Sequence, residues 1–340
     1  MNLSSILRCS TAQKSNPYWR TLRTVAATTV IESIKKSARI LIVCHIRPDG
    51  DSLGSGFALK KVAEKLGKQV DFVTDSDRPS HYSFIKCFYE LNDKKYSGYD
   101  LGIAVDCADD TRLGKWLSVF NKCPNTINID HHRTNNRFAK VNYVYPEKSS
   151  ACEVVYDLIS GDDVIDADIA TLLYLGISTD TGNFMHNNTK PETLAAASKL
   201  LALGADLEAI VNDFYKNNTK NKIMLTAKAI ESMRFFKDDY IVIMTITRKM
   251  LEECGCDITD TEGLIDYGMS IGSVGVAVCM TEQNVRSYKV SYRSKGIDVS
   301  VAALMFGGGG HKLAAGCVVN GHYEDVVRKI VKSVTDGIAE

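Results

Sequence analysis

The chain has 340 residues, 45 % of them apolar and 24 % charged, with 41 basic and 41 acidic side chains. That length accommodates two domains of ordinary size, and the balanced charge, with a pI near 7.0, excludes the basic excess of a long duplex-binding surface. No apolar run approaches the ~18 residues of a membrane span, and ten cysteines without a Cys-x-x-Cys pair do not make a disulfide scaffold in a chain this long. No acidic residue precedes Glu32, whereas Arg8, Lys14, Arg20 and Arg23 do, among many Ser and Thr. Such a composition resembles an organellar transit peptide; the plainer reading is a short extension leading into a helix at about Thr24–Ser37. Arg39–Cys44 (RILIVC) is a continuous apolar run, the signature of a buried parallel strand. A loop with Pro48 and Gly50 follows, then helical spacing over Leu53–Leu66 with Gly67 placed as a C-cap. Further strands are expected at Gln69–Thr74, Leu101–Val105 and Thr126–Ile129, and helices near Ala151–Ile159, Asp168–Ile177 and Pro191–Leu203. Strands spaced by helices predict an α/β fold with a doubly wound parallel sheet. Cys44 and Cys107 fall in apolar, strand-like runs and read as reduced core thiols, pointing to a reducing, cytoplasmic compartment.

The pattern changes after a polar, Lys-rich stretch at Asn217–Phe236, which reads as a linker helix. Tyr240–Ile246, Val274–Met280 and Tyr288–Tyr292 are strand-like, and the last two are close enough in sequence to pair antiparallel. Glu262–Ile271 and Asp298–Met305 are helical in pattern. The run Gly307–Gly310 precedes a strand at Ala314–Val319, and Glu324–Ile338 closes the chain as an amphipathic helix. This predicts a second, smaller α+β domain.

In a doubly wound sheet, ligands bind beyond the carboxyl ends of the strands. Ionisable residues gather there: His45, Asp49 and Asp51 after the first strand, Asp106 after the third, Asp130, His131 and His132 after the fourth, with Asp180 following a helix. Singly, Asp49 and Asp51 read as helix caps, Asp180-Thr181-Gly182 as a turn, and His131 as a core histidine. Four separate segments delivering acids and imidazoles to one edge is a different matter. Imidazoles with carboxylates suit Mn²⁺ or a similar divalent ion better than a thiolate-type zinc site. Asp106, His131 and Asp180 would complete what the first loop cannot, and a carboxylate such as Asp106 can bridge two ions. Two such ions ~3.5–4 Å apart stabilise both the attacking and the leaving oxygen on phosphorus. In the second domain, the N–H groups of Gly307, Gly308, Gly309 and Gly310 could converge on an anion, with His311 adding a donor.

Taken in order, His45-Ile46-Arg47-Pro48-Asp49-Gly50-Asp51-Ser52, Val105-Asp106, Asp130-His131-His132 and Thr179-Asp180-Thr181-Gly182 resemble the four motifs of the DHH phosphoesterases. Gly307–Gly316 resembles the glycine-rich motif of the DHH-associated C-terminal domain. The resemblance runs from about Lys35 to the C-terminus, and the compact size is similar to the nanoRNase / 3′-phosphoadenosine-5′-phosphate phosphatase branch. It implies one ion on His45, Asp49 and Asp106 and another on Asp51, Asp106, His131 and Asp180, with Mn²⁺ typical and Mg²⁺ or Co²⁺ as substitutes. It implies catalytic roles for Asp130 and His132, the latter touching the phosphate or protonating the leaving group. Ser291-Tyr292-Arg293-Ser294 resembles a substrate motif, so Arg293 would pair with phosphate, with Ser294 in the same motif. Read from the residues alone, Arg286 is a weaker candidate against an ordinary exposed strand residue, and Arg112, six residues past Asp106, either faces the cleft or anchors a helix. One departure stands out: family members often carry an arginine after the Thr-Gly-x-Phe segment, where this chain has Met185 and His186.

The expected division is an extension at 1–24, a catalytic domain at 25–215, a linker helix at 216–237 and a substrate-binding domain at 238–340. The expected substrates are oligoribonucleotides of a few residues and 3′-phosphoadenosine 5′-phosphate. A phosphodiesterase for linear dinucleotides such as pApA or pGpG, an inorganic pyrophosphatase or a polyphosphatase are the alternatives. Family relatives suggest a homodimer, and neither a membrane nor a long duplex is expected as a partner.

Overall fold

The computed structural model describes residues 28–79, 82–161 and 163–336. The chain divides into two compact units on either side of Asn217–Asn218. The described residues begin inside the first predicted helix, with residues 28–36 helical; the N-terminal extension lies outside them.

The first unit is built on a five-stranded parallel sheet of order β2-β1-β3-β4-β5, comprising β1 (Arg39–Cys44), β2 (Gln69–Val73), β3 (Leu101–Val105), β4 (Asn125–Asp130) and β5 (Val141–Val144). Continuous apolar runs were the expected signal because both faces are covered. Ile40, Ile42 and Cys44 enter one core with Leu53, Phe57, Leu172 and Ile177, while Leu41 and Val43 enter another with Tyr99, Leu113 and Phe120. The first core is covered by α1 (Gly50–Lys65), α2 (Ala151–Ile159), α3 (Ala167–Asp180) and α4 (Pro191–Ala202). α1 and α3 cross closely at Gly54, where a side chain would collide with the Leu172 carbonyl.

Two elements differ from expectation. β5 has no apolar run: its four residues, VNYV, are half polar, and pairing with β4 makes it an edge strand. The third helix does not stop at Ile177. Thr179 and Thr181 donate their hydroxyls to the Gly176 and Ile177 carbonyls, which lets polar residues extend α3 through Asp180. Asp180 is therefore the last helical residue instead of a turn residue.

The second unit is a six-stranded sheet of order β10-β11-β9-β8-β7-β6, with β6 (Arg234–Phe236), β7 (Ile241–Ile246), β8 (Val276–Asn284), β9 (Ser287–Ser294), β10 (Gly309–His311) and β11 (Ala314–Asn320). Only β7 and β8 run parallel; the other pairs are antiparallel. Alternation along the strands feeds two cores. Ile241, Ile243, Val276 and Val278 pack with the closing helix Tyr323–Asp336, through Val326 and Ile330. Val242, Met244, Ala277 and Cys279 pack on the other face with Leu225 and Ala229 of helix Lys220–Glu231. Residues 234–236, expected within the linker helix, instead form β6 against β7.

Candidate metal centre

β1 ends at Cys44, and His45 is the first residue beyond it, 4 % exposed. Its Nδ1 lies 2.8 Å from the Ile46 carbonyl, which can only accept, so Nδ1 carries a proton and Nε2 faces the acids. Nε2 stands 3.7 Å from Asp49 and 3.4 Å from Asp106. Asp49 also caps α1, accepting from the Ser52 amide at 3.0 Å; the cap and the cluster use one side chain. Asp51, in the first turn of α1, is 1 % exposed. Both its oxygens accept from the amino end of α2, at 2.6 Å from Ala151 N–H and 2.8 Å from Cys152 N–H. A helix amino terminus is where a buried carboxylate is held most cheaply.

Asp106 follows β3 with φ at 56°, a left-handed conformation uncommon for a residue other than glycine. Its amide donates to the Ile129 carbonyl at 2.9 Å, which ties the turn to β4. Oδ2 faces His45, while Oδ1 lies 3.6 Å from His131 Nε2 and 3.6 Å from His132 Nδ1. His131 in turn lies 3.8 Å from Asp51 and 3.6 Å from Asp180. The result is three interlocking groups: His45, Asp49 and Asp106; Asp51, His131 and Asp180; and Asp106, Asp130, His131 and His132. Asp106 belongs to two of them and contacts His131 of the other.

The electrostatics record the crowding. Burial together with the charges of Asp106 and Asp180 pushes Asp51 well above the usual carboxylate range. Burial and the Asp106 and Asp49 charges raise Asp180 to about 6 despite His131. Burial opposes charge on His45 and His131, but the closely approaching carboxylates of the surrounding acids raise each to about 10. Asp130 is fully buried and behaves differently. It accepts from His132 Nδ1 at 2.8 Å and from Asn135 Nδ2 at 2.5 Å, and these contacts hold it below the usual range against its burial.

The donor set fits divalent cations. Asp106 Oδ1 is buried with no hydrogen-bond partner, a costly arrangement for a carboxylate oxygen that a cation would relieve. The available donors are carboxylate oxygens and imidazole nitrogens. Cys44, Cys107 and Cys152 are buried nearby, and burial holds their thiols protonated, so the set lacks thiolates.

Three supporting residues carried no functional signal in the sequence reading. Asn135 donates to both Asp130 and the Cys107 carbonyl. Glu153, 1 % exposed, accepts from the Ser149 amide at 2.9 Å, the Ser149 hydroxyl at 2.6 Å, Thr193 at 2.9 Å and Lys148 at 2.9 Å. It thereby fixes the entry to α2, whose amides hold Asp51. Asn188 donates to the Ser149 carbonyl at 3.0 Å and to the Asp180 carbonyl at 3.1 Å, joining that entry to the end of α3. Ser150-x-x-Glu153 ahead of an apolar run was a legible helix-start signal; its link to Asp51 was not, because the two residues are remote in sequence.

The expected substrate residues are dispersed. Arg112 lies on the segment after β3, part-buried, with its Nε buried and unpartnered. His186 lies against Gly182, where a side chain would strike its ring, and Met185 is 82 % exposed. In the second unit, Gly307 and Gly308 do not form an open anion cradle. Their amides donate to the Leu304 and Ala303 carbonyls at the end of helix Val299–Leu304. Gly308 and Gly310 are glycines because β11 backbone occupies the space of a side chain. Gly309 and Gly310 begin β10, an edge strand, and the side chain of His311 lies outside the described residues. His311, Ala314 and Arg293 align across β10, β11 and β9, so an exposed Arg293 shares this end of the sheet. Ser294 is buried, and its hydroxyl oxygen accepts from the Gly296 and Ile297 amides, which is a turn-forming role. Arg286 does not join the group. It sits in the β8–β9 turn with φ at 61°, at the opposite end of β9, roughly 20–25 Å of strand away.

Two family descriptions match: the DHH family, N-terminal domain, over residues 39–177, and the DHHA1 domain over residues 239–340. The bifunctional oligoribonuclease and PAP phosphatase NrnA of Thermus thermophilus is 34 % identical over 334 residues, covering 94 % of this chain and 96 % of the relative. The protein of that name from Mycoplasma genitalium is 28 % identical over 313 residues, covering 90 % and 97 %. Among solved structures, an exopolyphosphatase-related protein from Bacteroides fragilis superposes with a TM-score of 0.85 at 24 % identity, covering 92 % of this chain and 96 % of that one. That likeness concerns the fold.

Proposed function

Since the chain belongs to the DHH family, in the branch of the bifunctional oligoribonucleases and PAP phosphatases, we propose that this phosphoester hydrolase cleaves oligoribonucleotides of a few residues and dephosphorylates 3′-phosphoadenosine 5′-phosphate. The observation that carries the reading is Asp106, whose Oδ1 is buried without a hydrogen-bond partner among two histidine–aspartate groups.

His45, Asp49 and Asp106 would hold one cation, and Asp51, Asp106, His131 and Asp180 a second, with Mn²⁺ as the proposed ion. Bound there, such a pair supplies charge to activate water and to offset negative charge developing on phosphorus. The remaining chemistry belongs to side chains of this chain. Asp130 holds the Nδ1 proton of His132, which leaves Nε2 as the ring nitrogen that can give a proton to the departing oxygen. Burial opposes a charged His132, but the Asp130 contact raises its affinity for that proton. In this reading residues 25–215 carry the chemistry and 238–340 bind substrate, with Arg293 and the Gly307–His311 segment as contacts. Relatives of this name act on oligoribonucleotides and PAP, which supports the substrate class. The free cysteines among the described residues suit a reducing compartment, and none of their helices is long and apolar enough to cross a membrane.

The test is a substrate panel with purified protein and Mn²⁺: dinucleotide to pentanucleotide RNA, pApA, pGpG, 3′-phosphoadenosine 5′-phosphate, pyrophosphate and a 30-nucleotide RNA, with products identified by mass. Mononucleotide release from the short RNAs and phosphate release from the bisphosphate are expected. Inertness toward both, or faster turnover of pyrophosphate, would refute the assignment.

A further inference from the structure

Two divalent cations, if bound, would be balanced by the four carboxylates Asp49, Asp51, Asp106 and Asp180, and Asp130 is matched by His132. A loaded centre therefore offers no excess positive charge to a substrate carrying two or more phosphates. Gly307 and Gly308, whose amides cap a helix, offer less than the sequence suggested. Cationic groups close to the carboxyl edge of the first sheet are needed.

Among the described residues, Arg47 and Arg112 stand there without an ion pair, as does the exposed Arg133 beside His132. Arg47 lies in the loop after β1, two residues before Asp49, and Arg112 in the segment after β3, six residues past Asp106. Their loops are joined: the Ile46 amide donates to the Arg112 carbonyl at 2.9 Å. Arg47 adopts φ at 57°, and its amide donates to the Ser76 hydroxyl at 2.7 Å, so its backbone is pinned in a conformation that L residues seldom adopt. Arg112 Nε is buried without a partner. Neither guanidinium forms an ion pair among the described residues. Two arginines of the same unit that lie elsewhere are satisfied: Arg39 donates to the Ser97 carbonyl and to Gln69, and Arg78 to the Leu91 carbonyl. The two loops that supply His45, Asp49 and Asp106 to the cluster thus each carry an arginine with open guanidinium donors, and a guanidinium fork suits the oxygens of a phosphate.

We infer that Arg47 and Arg112 form an anion subsite on the metal-bearing unit that takes a non-scissile phosphate of the substrate and sets a preference for substrates carrying that second phosphate. The inference rests on the hydrolase reading above. For a dinucleotide, the group concerned is the 5′-terminal phosphate; for 3′-phosphoadenosine 5′-phosphate, it is the 5′-phosphate retained in the product.

The experiment compares pApA with ApA, which lacks the 5′-phosphate, in wild type, Arg47→Ala, Arg47→Gln, Arg112→Ala, Arg112→Lys and Arg293→Ala. Wild type is expected to favour pApA. Arg47→Ala and Arg112→Ala should raise KM for pApA by about 10- to 100-fold, the range for a lost charge-assisted pair. They should leave kcat, Mn²⁺ content and the parameters for ApA near wild type, with Arg112→Lys intermediate. Equal effects on the two dinucleotides, or loss of the preference only in Arg293→Ala, would overturn the subsite. The exposed Arg47→Gln variant serves if Arg112→Ala fails to fold. Calorimetric affinity for pApA against ApA without added metal reads the subsite with no turnover. Inertness of wild type toward both dinucleotides would thus sink the hydrolase reading, while equal affinity for both would sink the subsite.

Discussion

Asp106 concentrates a conflict that a metal-free protein cannot resolve: a buried carboxylate at positive φ, one oxygen unpartnered, among other acids. Asp106→Asn tests this cleanly, because asparagine tolerates the left-handed backbone where alanine would add strain. Without metal, the variant should melt roughly 2–4 °C above wild type, the shift expected for about 1 kcal/mol in a domain of this size. Saturating Mn²⁺ should stabilise wild type and leave the variant unchanged; calorimetric melting curves in EDTA and in Mn²⁺ decide. His132→Ala should behave in the opposite sense, keeping its metal content while kcat falls about 10²- to 10⁴-fold, as for a lost general acid. Elemental analysis alongside initial rates separates the two. The sequence exposed His45 and Asp106 because each stands immediately after an apolar strand, and His131 and His132 because they follow Asp130 at the end of β4. It was silent on Asn135 and Asn188, polar loop residues that join backbone carbonyls remote in sequence, of Cys107 for the one and Ser149 for the other, to the cluster.

Elements turn those residues into a site. α2 packs into the core and also aims two amides at Asp51, and Glu153 fixes the start of that helix. Glu153→Gln should weaken Mn²⁺ binding by about 10- to 100-fold, as loss of support behind a ligand does; calorimetric titration measures it. The pH dependence has a definite sign. Burial opposes the Glu153 charge, but Ser149 and Lys148 hold its pKa below the usual glutamate value. Its contribution is therefore fully present above the unfolded pKa of about 4.3 and is lost as pH falls through the lower folded value. Glu153→Gln should flatten the fall in melting temperature over that acid window. In the second unit, Gly308→Ala should cost about 1–3 kcal/mol by overpacking against β11, read as a lower denaturant midpoint. Strands and helices with strong periodicity were legible at nearly their observed bounds. β5 and β6 were not, since three or four half-polar residues at a sheet edge give pattern too little to work with.

The two units follow different rules, and the sequence distinguishes them by rhythm: alternating strands and helices up to α4, then a mostly antiparallel sheet. A parallel sheet gathers loops from distant segments at one edge, which is why four sequence motifs can share one cluster. The clustering of these side chains in the first unit was accordingly readable from motif order. The second unit's glycine run was readable as a motif but not as an anion cradle, because helix capping and close strand packing leave the same mark in sequence as phosphate binding. The proposed chemistry is hydrolysis of very short RNA driven by cations shared through Asp106. Metal-free protein titrated with Mn²⁺, with bound ions and mononucleotide release from a dinucleotide followed together, tests it most directly. Release should begin only on loading, reach its maximum at two ions per chain, and stay absent in Asp106→Asn at every Mn²⁺ concentration. Full-rate release in EDTA, or from Asp106→Asn, would contradict it.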